Sequence, residues 1–335
     1  MINESKLPLD EGKPVVSFIL CAYNQETYIE AAIKGAFSQT YSPLEIILTD
    51  DCSTDSTFTI MEKMAENYKG EHTVRLNRNA ENSGISAHFS KAVSLSRGEF
   101  IIGAAGDDIS LPEYTETLAN CWLKSDKKKL LVHSNAFVMA EDSTLTGDVR
   151  KVGAQYHDDL HRAIENDAHT VGAATGYSRR LFTEFPPIDP EVVHEDRVLP
   201  IRALLLGEIG YIDKALIYYR EGGISFDYGK EDIYDRHYGS GNIFAKRSVV
   251  DCYQKLADLE FFQVGETTIK LAQKKIHEWE LIAYLGEKKG ASFTMSYKAL
   301  RNGLSFGFVM KKNLRYQFPK LYHKIVQMVK GKSVD

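Results

Sequence analysis

The chain begins its ordered pattern with an apolar run, Val15 to Ala22 (VVSFILCA). A run without polar alternation reads as a strand covered on both faces. Leu44 to Thr49 (LEIILT) and Glu99 to Ala105 (EFIIGAA) read the same way. Between the first two strands the period changes. Ile29, Ala32, Ile33, Ala36 and Phe37 share one face of a helix expected over Glu26 to Ser38. A second helix is expected from a cap at Asp55 or Ser56 to about Tyr68. A short strand at Thr73 to Leu76, a helix at Ile85 to Ser96 and the third apolar run complete the first half. Strands alternating with helices at this pace predict an α/β fold with a mostly parallel central sheet.

The middle is mixed. LLVHSNAFVM reads as a strand, VGAATGYSRRLF as small residues turning helical, Glu195 to Leu206 as a helix and IGYIDKALIYYR as a pair of strands. From IFAKRSVVDCYQKLADL onward, and again in TTIKLAQKKIHEWELIAYL, apolar residues recur every three or four positions. These patterns divide the chain into an α/β domain over residues 1–229, a helical extension over 230–287 and a tail over 288–335.

Charge sharpens that division. The net charge of the 335 residues is -5, but the tail from Lys288 carries 11 Lys and Arg against a single acid, Asp335. The body is therefore strongly acidic, which argues against a nucleic-acid binder. In the tail, NLRYQFPKLYHKIVQMVKGK interleaves bases with bulky residues. This suits a helix lying on an anionic membrane surface; the alternative is a solvated helix packed on the body. Cys21, Cys52, Cys121 and Cys252 form no CxxC pair, so no zinc site is expected and a reducing compartment fits. Met1 to Lys13 is polar, and no apolar run approaches the roughly 20 residues that span a bilayer. The expectation is a cytoplasmic protein, or one peripheral to the inner membrane face.

Open α/β sheets bind ligands beyond the carboxyl ends of their strands. The three clearest strands end at Tyr23-Asn24, at Asp50-Asp51 and at Asp107-Asp108. Adjacent carboxylates such as Asp107 and Asp108 suit Mg²⁺ or Mn²⁺, which prefer oxygen ligands; they also suit a solvated turn that caps the next helix. Asp50 and Asp51 could accept hydrogen bonds from a base or ribose, or dress a helix N-terminus together with Ser53, Thr54 and Asp55. Tyr23 could stack on a base. His194-Glu195-Asp196 opens an apolar helix, where a carboxylate can act as a general base or as a cap. No GxGxxG or GxxxxGK[ST] motif follows the first strand, and no HExxH occurs.

In order, these motifs resemble the family 2 glycosyltransferases: a strand ending in Tyr-Asn, a strand ending in DDCSTDST, Asn82-Ser83-Gly84, GEFIIGAAGDDISLPEY, GYSRRLF, HEDRVL and YYREGGIS. The resemblance implies a GT-A nucleotide-binding sandwich and an inverting, metal-dependent transfer from a nucleotide-diphosphate sugar, with UDP the first choice. It implies that Ala22, Tyr23, Asn24, Asp50 and Asp51 hold the nucleotide, and that Asp107 and Asp108 hold Mn²⁺ or Mg²⁺ and the diphosphate. It also implies that Arg220 and Ser225 lie near the diphosphate, that Asp196 is the base and that Glu195 supports it. The implied acceptor is a saccharide, lipid-linked in surface-polysaccharide synthesis. Some positions depart from the family pattern. The metal motif reads Ala105-Gly106-Asp107-Asp108 in place of D-x-D-D, and Cys52 stands where Gly is usual. Ala87-His88 replaces a basic position, which removes an expected phosphate contact. A nucleotidyltransferase and a non-catalytic scaffold of the same fold remain as alternatives.

Overall fold

The computed structural model describes residues 12–153, 158–222, 243–288, 293–318 and 322. It forms two compact units, Met1–Asp227 and Tyr228–Asp335. In the first, strands β1 (Val16–Ala22), β2 (Leu44–Asp50), β3 (Thr73–Arg78) and β4 (Phe100–Ala105) alternate with helices α1 (Ile29–Phe37), α2 (Thr57–Asn67) and α3 (Ile85–Leu95). Then come β5 (Ile109–Ser110), α4 (Tyr114–Lys124), β6 (Lys129–Met139), β7 (Leu145–Arg150), α5 (Leu160–Glu165), β8 (Thr175–Ser178), α6 (Arg180–Thr183), α7 (Glu195–Leu206) and β9 (Glu208–Arg220).

The sheet runs in the order β3-β2-β1-β4-β8-β6-β9-β5, with β7 paired to β6. The β3-β2-β1-β4 half is parallel, as is the β6–β9 pair; β8 enters antiparallel between β4 and β6. The apolar runs of β1 and β2 are buried almost throughout because helices cover both faces of this half. Parallel register sets the strand ends level: Ala22 lies opposite Asp50, and Cys21 opposite Ala105. The chain turns that follow these three strands therefore emerge at one edge.

Two elements differ from the pattern expected. VGAATGYSRRLF contains strand β8, and its small residues serve close packing: a Cβ on Gly176 would stand 2.5 Å from the Phe100 ring. IGYIDKALIYYR is one strand, β9. The polar pair Asp213-Lys214, which reads as a turn, is instead the point where the β6–β9 register jumps from Ser134–Ile212 to Asn135–Ala215. Strands β5 and β7 and helix α5 were not anticipated.

The second unit contains α8 (Ile243–Phe261), α9 (Glu266–Lys288), α10 (Phe293–Arg301) and α11 (Phe306–Gln317). Leu281 and Leu285 of α9 pack with Ala299 of α10, Leu304 and Val309 of α11 in one apolar cluster. The division expected at 287/288 thus falls between helices that share a core. The stretch expected as an interfacial helix, 313–332, lies mostly outside the described residues; α10 and α11 stand before and at its start, α11 capped by Ser305, whose Oγ accepts from the Phe308 N–H. Most of the tail beyond Phe318 lies outside the described residues.

Candidate active site

The loops after β1 and β2 are fastened together. The Asn24 N–H donates to Ser53 Oγ at 2.8 Å, and Asn24 Oδ1 accepts from the Thr54 N–H at 2.9 Å. Asp50 is fully buried; it accepts from the Ser53 N–H and hydroxyl and pairs with Arg78 Nε at 3.4 Å. Cys52 has φ 64, so the turn after Asp51 does take the left-handed conformation that glycine adopts most easily. Ala22 is buried beneath this loop pair, while Tyr23 is left 37% exposed beside it.

Asp51 is engaged by the segment that follows β3. Its Oδ1 accepts from Asn79 Nδ2 at 2.7 Å and from Ser83 Oγ at 2.9 Å, and its Oδ2 accepts from the Gly84 N–H at 2.9 Å. Burial would raise its pKa, but these donors outweigh burial and hold it below the usual carboxylate value. Asn79 and Ser83-Gly84 thus attach the start of α3 to the end of β2.

His88 of α3 is buried, with Nε2 2.7 Å from Thr49 Oγ1. Burial disfavours its imidazolium and lowers its pKa from the ordinary 6.5, although Asp51 and Asp50 oppose the shift. As pH falls through that ordinary value the unfolded chain takes up the proton first, so the stability present above it is lost on acidification. His88→Gln is expected to flatten the fall in urea midpoint between about pH 7 and 5. An unchanged slope would show that other groups set it.

Asp107 and Asp108 are both buried after β4. The Arg220 N–H, at the end of β9, donates to Asp108 Oδ1 at 2.8 Å, and Arg220 Nε donates to the Asp107 carbonyl at 2.9 Å. Arg220 Nη1 is spent on the carbonyls of Ala140 and Glu141 and on Ser143 Oγ, and the guanidinium lies 4.1 Å from the Tyr28 ring centre. Arg220 therefore braces the paired carboxylates from behind. Ser225 lies outside the described residues. Burial raises the pKa of Asp107; burial first and the Asp107 charge second push Asp108 well above the carboxylate range. Gln25 Oε1, buried without a hydrogen-bond partner, sits where a Cβ on Gly106 would intrude. Two carboxylates that resist joint ionisation and a nearby orphan amide oxygen fit a hard divalent cation, with its remaining ligands supplied by phosphate and water. No cluster of three or more His, Cys, Asp or Glu is present among the described residues.

Helix α7 brings the second acidic pair to the same edge. Glu195 Oε2 accepts from Ser86 Oγ, on the first turn of α3, at 3.1 Å. Gly172, before β8, leaves room for both: a Cβ there would lie 3.1 Å from Glu195 Oε1 and 3.6 Å from the Asp196 Cβ. The Cys21 thiol is pushed up by burial and by the charges of Glu195 and Asp51, which marks those two carboxylates as its neighbours. Tyr219 is raised to about 12, chiefly by burial; Arg150 opposes the rise, and Asp108, Asp107 and Asp196 reinforce it. The charges of Asp108, Asp107 and Asp196 thus all bear on Tyr219. Sequence patterns give no site role to Tyr219, Arg150, Gln25 or Ser86. Only the pairing of β9 with β6, and of β6 with β7, brings Tyr219 and Arg150 together.

The carboxylates that gather beyond the parallel strand ends, next to a helix N-terminus that adds two more, occupy the edge at which open α/β sheets bind ligands. The family model for glycosyl transferase family 2 matches residues 17–184. The chain belongs to glycosyl transferase family 2. The match ends before Glu195 and Asp196.

Among curated relatives, EpsH of Bacillus subtilis, described as a glycosyltransferase, is 29% identical over 62% of this chain and 61% of its own length. TuaG of Bacillus subtilis, described as a teichuronic acid biosynthesis glycosyltransferase, is 34% identical over 29% of this chain and 37% of its own. The chain thus spans less than two thirds of these relatives, and it resembles bacterial surface-polysaccharide transferases. Among solved structures, S. aureus TarS 1-349 in complex with UDP-GlcNAc superposes with TM-score 0.56 at 17% identity, covering 96% of this chain and 93% of that one. The mannosyltransferase PcManGT from Pyrobaculum calidifontis, in complex with GDP-Man and Mn²⁺, gives 0.53 at 17% identity, covering 96% and 89%. The shared fold is GT-A.

Proposed function

We propose that this chain transfers a sugar from a nucleotide-diphosphate donor, UDP-linked by preference, to a hydroxyl of a saccharide acceptor, with inversion at the anomeric carbon. The observation that carries this reading is that the buried pair Asp107-Asp108 and the Asp50-Asp51 loop follow parallel strands whose ends lie level, with Glu195, beside Asp196, bonded to the start of α3 that Asp51 holds. Asp196 takes the acceptor hydroxyl proton as the oxygen attacks the anomeric carbon, and the nucleoside diphosphate leaves from the opposite face. No covalent sugar–enzyme intermediate is needed, so one carboxylate on the attacking side suffices. Glu195, held by Ser86, keeps the helix start in place. Tyr23 stacks on the base, and the fastened loops at Asn24 and Asp50–Asp51 shape its floor. Asp107 and Asp108 would hold Mn²⁺ or Mg²⁺, which screens the diphosphate and stabilises it as a leaving group. The GDP-Man and Mn²⁺ complex of PcManGT and the UDP-GlcNAc complex of TarS support a divalent ion and a nucleotide-sugar donor.

Calorimetry tests the donor site. UDP is expected to bind with Mn²⁺ present, and Asp107→Asn combined with Asp108→Asn is expected to abolish that binding in a chain that stays folded. Undiminished binding by the double variant would remove the pair from the site.

The acceptor in this reading is lipid-linked and serves surface-polymer synthesis; the likeness to TuaG, described by teichuronic acid biosynthesis, supports the polymer role. The domain roles remain those read from the sequence: an α/β catalytic part, a helical extension, and a basic tail that meets an anionic membrane on the cytoplasmic side. No helix among the described residues is long and apolar enough to cross a membrane. Helices α10 and α11 support surface contact: Phe293, Tyr297, Phe306 and Met310 are all exposed, and Lys298, Arg301, Lys311, Lys312 and Arg315 accompany them without an acid between 293 and 318. Sedimentation with vesicles containing phosphatidylserine is expected to pull down the full chain at low salt. Changing Phe293, Tyr297, Phe306 and Met310 to Ser is expected to release it, and equal sedimentation of that variant would contradict a docking role.

A further inference from the structure

A donor diphosphate needs cations that are not already committed. Arg220 is the residue the family resemblance offers, but its guanidinium is buried against the Asp107 carbonyl, the 140–143 turn and the Tyr28 ring. The second expected contact, a base after Asn82-Ser83-Gly84, is replaced by Ala87 and by His88, which is buried against Thr49. Arg220 is therefore occupied and the family's base after the Asn82-Ser83-Gly84 motif is absent, while Ser225 lies outside the described residues.

Arg150 supplies what they lack. It ends strand β7, opposite Ala136 of β6, and β6 in turn lies beside β9, where Val138 faces Tyr219. Its guanidinium carbon stands 4.8 Å from the centre of the Tyr219 ring. Tyr219 directly precedes Arg220, whose N–H donates to Asp108 Oδ1 at 2.8 Å, and Arg150 and Asp108 also bear on one another electrostatically. All of β7 is exposed, and among the described residues the Arg150 side chain meets this aromatic face rather than a carboxylate. An arginine seated over a tyrosine ring keeps N–H donors of its fork available, and that fork matches a phosphate in two-point contact.

We infer that Arg150, seated on Tyr219, binds a phosphate of the donor's nucleoside diphosphate at the mouth of the site. The inference rests on the donor site proposed above. It places a binding residue on a strand outside the paired-carboxylate motifs and gives Tyr219 a positioning role. A phosphate carried by the acceptor offers the same chemistry, so the test has to separate the two sources.

Calorimetry of the full chain with UDP and with uridine, both with Mn²⁺ present, makes that separation, because uridine keeps the base and ribose and lacks the phosphates. Arg150→Ala is expected to weaken UDP binding on the order of tenfold to a hundredfold, the range for a lost charge-assisted contact, and to leave uridine binding unchanged. Arg150→Lys should recover part of the loss, since it restores charge without the fork. Tyr219→Ala should weaken UDP in the same direction and Tyr219→Phe, which keeps the ring, should not. UDP binding unchanged in Arg150→Ala would overturn the inference, including the case in which the arginine serves an acceptor phosphate. Equal losses for UDP and uridine would overturn it as well, by showing a general disturbance of the site. Failure of the unaltered chain to bind UDP or any other nucleoside diphosphate would defeat the donor-site reading itself, and this inference with it.

Discussion

Asp196→Asn should lower turnover by about a hundredfold to ten-thousandfold, the range for removal of a general base, while UDP affinity stays unchanged. The substitution keeps the size of the side chain and its position on the first turn of α7, and removes the capacity to accept a proton. Asp196 stands on α7, whereas the loops proposed to hold the nucleotide follow β1 and β2, so donor binding and proton transfer are separable. The informative comparison is with Glu195→Gln. Glu195 is tied to Ser86 and lies against Gly172, so its neutral form should cost less in turnover and more in the placement of α7 on α3. A variant Asp196→Asn that still turned over at the original rate would remove this residue as the base.

The second large effect falls on stability. Asp51→Ala should cost about 1–3 kcal/mol, because the buried Asn79 amide loses its acceptor, whereas the N–H groups of the exposed Ser83 and Gly84 can turn to water. The urea midpoint at constant m value measures this. UDP affinity should fall together with stability, since the segment 79–84 and the start of α3 depend on the same carboxylate. Asp51→Asn should be milder: it keeps one acceptor oxygen and turns an amide group toward donors. A loss below about 1 kcal/mol in Asp51→Ala would show that the loop is held by something else.

How much of this was legible in the chain depends on what each signal reports. Strands β1, β2 and β4 were placed to within about a residue or two because strands buried on both faces carry an apolar run that needs no period to be seen. Strand β7 carries no such signal, since all six of its residues are exposed, and β5 has two residues. Strand β8 was hidden by small residues whose purpose is to pass close to Phe100. Strand β9 was split in two because Asp213-Lys214 looks like a turn in the sequence and is a register jump in the sheet. For the site, the carboxylate pairs stood out because they follow apolar strands directly, and parallel register then brings those ends level. What could not be read was who already occupies each group. That Asp51 is claimed by Asn79, Ser83 and Gly84, and Arg220 by the 140–143 turn, follows from contacts between residues about 30 to 80 positions apart, which no local pattern encodes. The same holds for the Arg150–Tyr219 contact, which exists only because β7 folds onto β6 beside β9.

The central claim is that the acids gathered at the strand ends and at the start of α7 transfer a sugar from a nucleotide donor. Its most direct test is product analysis after incubation of the full chain with a panel of nucleotide sugars, Mn²⁺ and membrane-extracted saccharide acceptors. The account predicts release of nucleoside diphosphate matched by sugar appearing on the acceptor, with both lost in Asp196→Asn. Release of pyrophosphate instead, or nucleoside diphosphate release that persists undiminished in Asp196→Asn, would contradict it.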